Sequence, residues 1–163
     1  MPTLTFSSDL PVPAEEILAT LTMEGVNAEL SPLVRMTAPV DFAGRSILLW
    51  PQKQFLFKSW ILLFGFMPID RHSFYFEAIN PDSGFCERST SITNECWRHE
   101  RKILPLPNGS RVVDTVEYES RVPLLDVILK PLYKLVFWRR HQNLRSMYGG
   151  SASNSGVRQT SSP

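Results

Sequence analysis

WRHERKILPLPNGSRVVDTVEY, residues 97–118, has the pattern of two strands joined by a tight turn. Asn108-Gly109 is a dipeptide that favours hairpin turns. Pro105 and Pro107 precede it, at positions where a strand can do without a backbone hydrogen-bond donor. The stretch therefore predicts a β-hairpin centred on Asn108-Gly109.

The position of this turn decides which residues of the hairpin share a face, because side chains alternate along a strand. A turn centred on Asn108-Gly109 places Arg101 opposite Val116 and His99 opposite Tyr118. The inner face is then mostly apolar, with four polar side chains: His99, Arg101, Asp114 and Tyr118. We therefore predict an apolar interior that contains a small polar set.

Length and composition indicate one globular domain, predicted over residues 1–149, followed by a disordered tail over 150–163. The chain has 163 residues, 43% of them hydrophobic, and a net charge of +1, which does not favour a nucleic-acid-binding protein. The most apolar run, Trp60–Ile69, is shorter than the roughly 20 residues of a membrane helix, so no integral membrane segment is predicted. With two cysteines and no secretory signal pattern, we expect a cytoplasmic protein.

Strand patterns follow one another through most of the chain. They cover residues 3–6, 33–37, 45–50, 55–64, 72–79, 85–91, 93–104 and 111–122. Two short helices are predicted after the first strand, over 13–23 and 26–30, with Gly25 ending the first. A long C-terminal helix over 123–148 should kink or restart at Pro131 and end at Gly149. This order predicts an α+β fold with a curved antiparallel sheet of about seven strands around the last helix.

Four short motifs occur in a characteristic order along this framework. They are Phe85-x-Glu87, Trp97-x-His99-x-Arg101, Asp114-x-Val116-x-Tyr118 and RRHxxLRxxYG at residues 139–149. Together they resemble the SRPBCC superfamily, the START and Bet v 1-like helix-grip proteins, over roughly residues 3 to 149. The resemblance implies a seven-stranded sheet that grips the C-terminal helix around an apolar cavity. It is strongest to uncharacterised bacterial members and implies no particular substrate.

We predict that the chain binds a small hydrophobic molecule, such as a lipid, quinone or polyketide, in this cavity without catalysis. The candidate wall residues are Phe55, Phe57, Trp60, Trp97, Val116, Tyr118, Leu132 and Val136. The candidates for the polar end are His99, Arg101 and Asp114. In a purely structural alternative, Arg101 pairs with Asp114 as a diagonal neighbour and His99 bonds Tyr118. Arg35 and Glu87 also lie in predicted strands, and the sequence does not decide whether their side chains face the interior or the solvent.

Two other classes of function use the same sequence features. A polyketide cyclase or aromatase could use His99 as a base, although no nucleophile motif is present. An interaction module, including a homodimer, could use the aromatic strand at 55–64. His72, His99 and His141 lie on separate predicted elements without zinc-site spacing, and no phosphate-binding motif occurs, so we predict no metal and no cofactor.

Overall fold

A curled antiparallel sheet forms most of the molecule in the computed structural model, which describes residues 1–152. Its strands are β1 (Thr3–Leu10), β2 (Val34–Met36), β3 (Phe55–Leu63), β4 (Met67–Asn80), β5 (Gly84–Ser91), β6 (Asn94–Leu106), β7 (Gly109–Ser120) and β8 (Ser151–Ala152). They are ordered β2-β3-β4-β5-β6-β7-β1-β8, so consecutive strands from β2 to β7 are neighbours. Such a meander is the expected arrangement for strands joined by short turns.

Within residues 1–152, four α-helices accompany the sheet: α1 (Ala14–Ala19), α2 (Met23–Leu30), α3 (Val40–Ala43) and α4 (Asp126–Tyr148). The long helix α4 packs against β1 and α2. It buries five residues, Leu129, Phe137, Arg140, His141 and Leu144. The architecture confirms the predicted α+β, helix-grip arrangement. No helix in the described part of the chain is both long enough and apolar enough to span a membrane.

The hairpin of β6 and β7 forms as predicted, but its turn lies one residue earlier. Leu106 pairs with Gly109, so the turn is Pro107-Asn108. Proline suits the first position of this turn because its φ is fixed. Gly109 belongs to the strand, and glycine is needed there because a Cβ would overlap the Leu10 carbonyl oxygen. The register therefore moves by two residues, which keeps every side chain on its predicted face. Arg101 now stands directly opposite Asp114 rather than Val116.

The N-terminal elements differ from the prediction at their ends. β1 continues to Leu10, past the predicted end at Phe6, because it pairs with β7 along its whole length. Gly25 lies inside α2 rather than ending a helix. Thr22 instead begins α2, since its side chain accepts a hydrogen bond from the Gly25 backbone N–H at 3.0 Å.

The segment over residues 39–50 contains no strand, contrary to the prediction for 45–50. It forms α3 and a single 3-10 turn at Ile47–Leu49. Trp50 is only 3% exposed, and its ring packs edge-on against Phe57 and Phe76 at centroid distances of 5.5 and 5.6 Å. Burial of this large aromatic side chain explains why the segment folds inward instead of pairing as a strand.

Strands β3 and β4 depart from simple alternation. Strand β3 is apolar on both sides but is not covered on both faces, because Phe55 and Trp60 are 57% and 41% exposed. In β4, a register shift lies between Phe76 and Ala78. This irregularity reverses the alternation, so Ala78 is exposed and Ile79 is buried.

The helix does not restart at Pro131, because α4 is continuous from Asp126 to Tyr148 and contains this proline. The missing hydrogen bond falls in an exposed early turn, where water can satisfy the Val127 carbonyl. Gly149 ends α4 with a φ of 75°, as predicted. Within the predicted tail, Ser151–Ala152 pair with β1, and residues 153–163 lie outside the described residues.

We predict that Gly25→Ala destabilises the protein, although the same change inside a helix normally stabilises by about 0.5–1 kcal/mol. A Cβ at Gly25 would overlap the Thr20 carbonyl oxygen, and we expect a loss of about 2 kcal/mol or more, as for other overpacked sites. Gly44→Ala is the matched control, since no atom lies within 4 Å of its added Cβ. Urea denaturation of both variants checks this, and equal midpoints would contradict it.

Candidate ligand-binding site

A cavity of about 190 Å³ lies between α4 and the sheet. Its apolar lining comes from α2, the central strands and α4, and consists of Met23, Val26, Leu30, Val34, Met36, Ile47, Ile61, Ile69, Phe74, Phe76, Phe85, Trp97, Leu129, Leu132, Tyr133, Val136 and Phe137. For comparison, an apolar cavity of about 150 Å³ can hold benzene. The space is therefore large enough for a small organic molecule.

Polar side chains border this cavity in two groups. The first group, Asp70, Thr93 and Asn94, lies where the β5–β6 turn meets the start of β4. Asp70 accepts hydrogen bonds from the backbone N–H groups of Ile92 and Thr93 at 3.0 and 3.3 Å, so it holds this turn. Asn94 donates to the Tyr133 hydroxyl at 2.6 Å and joins the turn to α4.

The second polar group contains His72, Glu87, His99 and Arg140. His72 Nε2 forms a hydrogen bond with Glu87, and His99 Nδ1 lies 3.8 Å from the other Glu87 oxygen. Burial alone would raise the pKa of Glu87, but its contacts with His72 and His99 outweigh burial and lower the pKa to about 2. Glu87 is therefore an ionised carboxylate that holds two imidazoles at the cavity wall.

Asp114 lies behind His99 and binds three side chains. It accepts two hydrogen bonds from Arg101, at 2.8 and 2.6 Å, in a bidentate pair. It also binds His99 Nε2 at 2.8 Å and His141 Nε2 at 3.0 Å. Burial opposes ionisation of Asp114, but the charges of Arg101 and Arg140 hold its pKa well below the ordinary value.

Glu29 on α2 completes the arrangement. It accepts hydrogen bonds from Arg101 Nη1 at 2.9 and 3.0 Å and from Arg140 Nε at 2.6 Å. Burial works against its ionisation, but the same two guanidinium groups lower the pKa of Glu29. We call the connected set the buried ion cluster; it comprises Glu29, His72, Glu87, His99, Arg101, Asp114, Arg140 and His141.

The cavity includes four of the predicted ligand-binding residues: Trp97, His99, Leu132 and Val136. The other seven do not border it. Arg101 and Asp114 lie behind His99 in the buried ion cluster. Val116 and Tyr118 pack with Phe137 in a separate apolar cluster.

The remaining three predicted residues lie on β3. Phe57 packs in the core against Trp50, whereas Phe55 and Trp60 are exposed on the sheet. In the structural alternative, the hydrogen bond between His99 and Tyr118 is wrong, because His99 binds Asp114 instead. The prediction that Arg101 and Asp114 pair is confirmed, with the two residues directly opposite each other.

Several residues of the site were not predicted, although the sequence carries a signal for them. His72 has the same parity as Phe74 and Phe76, which places it on the inner face of β4. Glu87 has the parity of Phe85 on β5 in the same way. Arg140 follows Phe137 by three residues, as expected for one helix face.

Removing one partner of an ion pair leaves the other charge without compensation, and this costs more for a buried pair than for an exposed one. The protein contains one bidentate arginine–aspartate pair of each kind. We predict that Arg101→Met lowers the free energy of unfolding by about 3–5 kcal/mol, because it leaves Glu29 and Asp114 buried without their shared cation. Arg111→Met is the matched control: Arg111 forms a similar bidentate pair with Asp9 at 2.6 and 3.0 Å, but on the surface. We expect a much smaller loss there. Similar losses in urea denaturation would show that burial does not govern the pair.

The lowered carboxyl pKa values predict loss of stability in acid. Glu87 has an ordinary pKa of 4.5 and a folded pKa of about 2, so its contribution is complete above about pH 4.5 and is lost as the pH falls towards 2. The urea midpoint should decrease as the pH is lowered from about 6 to about 2.5. Glu87→Gln should be less stable at pH 6 and should show a shallower decline. If Glu87→Gln declines as steeply as the unmodified protein, protonation of Glu87 is not the source of the loss in stability.

Comparison with solved structures identifies the fold. Protein CV1439 from Chromobacterium violaceum is 14% identical, with a TM-score of 0.66 over 91% of this chain and 98% of that chain. The Zhui aromatase/cyclase from Streptomyces sp. R1128 is 10% identical, with a TM-score of 0.66 over 90% of this chain and 93% of that chain. A START superfamily protein from Mycobacterium smegmatis is 9% identical, with a TM-score of 0.60 over 91% and 98%.

At these identities the likeness shows the fold alone, and the predicted SRPBCC helix-grip fold is confirmed. A search of curated proteins finds no match. One family model does match, over residues 8–148, which is most of the chain. The protein therefore belongs to the family described as Domain of unknown function (DUF8410).

Proposed function

We propose that the protein binds a small, largely apolar molecule in the cavity between α4 and the sheet. The observation that carries this proposal is the cavity itself, with about 190 Å³ of space behind mostly apolar side chains. Binding sites for small molecules commonly combine such walls with a few convergent polar groups. Burial of each 100 Å² of apolar ligand surface would contribute about 2.5 kcal/mol.

The polar wall supports a ligand that carries at least one oxygen. Arg140 borders the cavity and is 3% exposed, and its Nη2 has no hydrogen-bond partner within the described residues. A buried donor without an acceptor is costly, and a ligand carbonyl, hydroxyl or carboxylate oxygen could supply that acceptor. In this proposal Arg140 orients the ligand through Nη2, whereas His99 contributes its ring to the wall and is held there by Asp114.

The apolar contacts in this proposal come from α4 and β6. Leu132 and Val136 lie on the cavity side of α4, one turn apart, and Trp97 faces them from β6. Trp97 also packs edge-on against Tyr133, with 5.0 Å between the ring centroids. The proposed wall therefore joins an ordered aromatic pair to two aliphatic side chains.

An enzyme of the cyclase or aromatase kind is the second candidate, and the two histidines at the cavity wall favour it. His72 and His99 both border the cavity and share Glu87. His72 contacts Glu87 through Nε2, and a histidine held by a carboxylate through one nitrogen can act through the other as a general base towards a proton next to a carbonyl group. The Zhui protein, an aromatase/cyclase, has a similar fold. Conversion of a bound β-ketone, lost in His72→Gln, would favour this candidate over simple binding.

Filling the cavity tests ligand binding. We predict that Leu132→Trp lowers the affinity for the fluorescent probe 1-anilinonaphthalene-8-sulfonate at least tenfold, because the larger ring occupies the probe's space. Leu135→Trp is the matched control on the same helix, since Leu135 is 47% exposed and should leave affinity unchanged. Thermal melting confirms that both variants fold. Equal affinity of the two variants would contradict binding in this cavity.

A further inference from the structure

Three connections lie together at one end of the sheet. In an antiparallel meander every second turn is at the same end, which groups the β3–β4 turn (64–66), the β5–β6 turn (92–93) and the segment between β7 and α4 (121–125). Hydrogen bonds confirm this grouping. The Arg121 backbone N–H donates to the Thr93 carbonyl at 2.9 Å, and the Ile92 N–H donates to Asp70 on β4 at 3.0 Å.

Large apolar side chains protrude from all three connections and from the first turn of α4. We call this set the apolar rim; its most exposed members are Phe64 (57%), Phe66 (75%), Ile92 (60%), Leu124 (78%), Val127 (74%) and Ile128 (65%). The hairpin turns at the opposite end, 81–83 and 107–108, contain only proline and polar residues. Single apolar residues such as Val40, Leu49 and Phe55 are exposed elsewhere, but only a group of neighbouring ones, as in the rim, indicates an interaction surface.

The apolar rim lies beside the opening of the cavity. Ile69 lines the cavity and is also 38% exposed, so the cavity reaches the surface at this end of β4. Thr93 and Asn94, which border the cavity, follow directly after Ile92 of the rim. Whatever covers the rim therefore also faces the cavity opening.

The backbone of Phe64 adds an independent observation. Its φ is 53°, in the left-handed region that disfavours bulky side chains. Asn or Gly would fit this turn position better. A large aromatic residue held there, with its ring more than half exposed, stabilises neither the turn nor the core, which points to a role in contact with another molecule.

Three exposed cations and two exposed acids lie near the rim, which is a small excess of positive charge. The exposed cations are Arg121 in the segment between β7 and α4, Lys130 in the second turn of α4, and Arg71 on β4, where its guanidinium lies over the Trp60 ring. From 121 to 139 the only acid is Asp126, and Ser120 donates a hydrogen bond to it. Glu95 and Glu119 are the exposed acids on the neighbouring strand ends. Long basic side chains beside apolar ones suit a membrane surface, because their stems can lie in the apolar layer while their charges meet phosphates.

We propose that the apolar rim inserts into the surface of an anionic phospholipid bilayer, with the cavity opening facing the lipid. Separate turn tips can enter a deformable apolar layer without a matching solid surface, whereas a protein partner would need a complementary pit for each tip. Arg121 and Lys130 contact lipid headgroups. The proposal rests on the exposed turns and does not depend on the ligand that the cavity holds.

Sedimentation of the full chain with phospholipid vesicles tests the proposal. The protein should bind vesicles of phosphatidylcholine with phosphatidylglycerol more tightly than phosphatidylcholine alone, and added salt should weaken binding. Phe66→Ser should lower vesicle affinity about tenfold, because a single buried aromatic side chain is worth about that factor. Leu104→Ser is the control, since Leu104 is 41% exposed near the opposite end and should leave affinity unchanged.

A second variant separates docking from folding. Phe64→Asn should raise the Tm by about 2 °C, because asparagine tolerates the left-handed φ, while it lowers vesicle affinity about tenfold. A lack of vesicle binding by the unmodified protein, or equal loss in Leu104→Ser, would overturn the proposal. So would a concentration-dependent dimer in sedimentation velocity that Phe66→Ser abolishes, because the rim would then join two copies of the chain.

Discussion

The guanidinium group of Arg101 has no contact with solvent, and the rest of the structure accommodates this one buried charge. Arginine stays protonated under all ordinary conditions, so the fold must surround it with carboxylates. Asp114 comes from the neighbouring strand and Glu29 comes from α2. The charge therefore ties the central hairpin to a helix that is distant in sequence.

The same requirement extends to α4. Glu29 receives a second guanidinium from Arg140, and Asp114 receives His141, the next residue on the helix. The last turns of α4 are thereby fixed to both α2 and β7. Apolar packing alone tolerates small sliding movements, whereas bidentate and linear hydrogen bonds define direction as well as distance. The position of the helix over the sheet is consequently determined by polar geometry, and the cavity is the space that this position leaves.

Alternation along the strands was enough to predict which face of the central hairpin is buried, and helical spacing was enough to predict α4. The register was not predictable to the residue, because Asn108-Gly109 and Pro107-Asn108 are both good turns. Only the close approach of Gly109 to Leu10, from a distant strand, selects the second turn. The predicted inner face is nevertheless correct, because the strand register differs from the predicted one by two residues and side chains alternate with a period of two.

The site was harder to predict than the fold for a related physical reason. Pairing between Arg101 and Asp114 follows from two adjacent strands, but the partner Glu29 lies on a helix whose position depends on tertiary packing. The exposure of Trp60 likewise depends on whether another element covers the outer face of β3, and the local sequence pattern does not show this. The local sequence therefore predicted which face of a strand each side chain lies on. Contacts between elements that are distant in sequence became visible only in the folded structure.

The two halves of α4 are anchored very unequally. Four of its five buried residues lie at or after Phe137, where the buried ion cluster holds the helix. Before that point Leu129 is its only buried residue among those described, and the cavity lies beneath. Substitutions in the first half can therefore alter the shape of the cavity at little risk to folding. Under the proposed binding function, substitutions along residues 127–136 can change which ligand fits while the second half of α4 stays constant, so mutation of a single helix can give the same scaffold a new specificity.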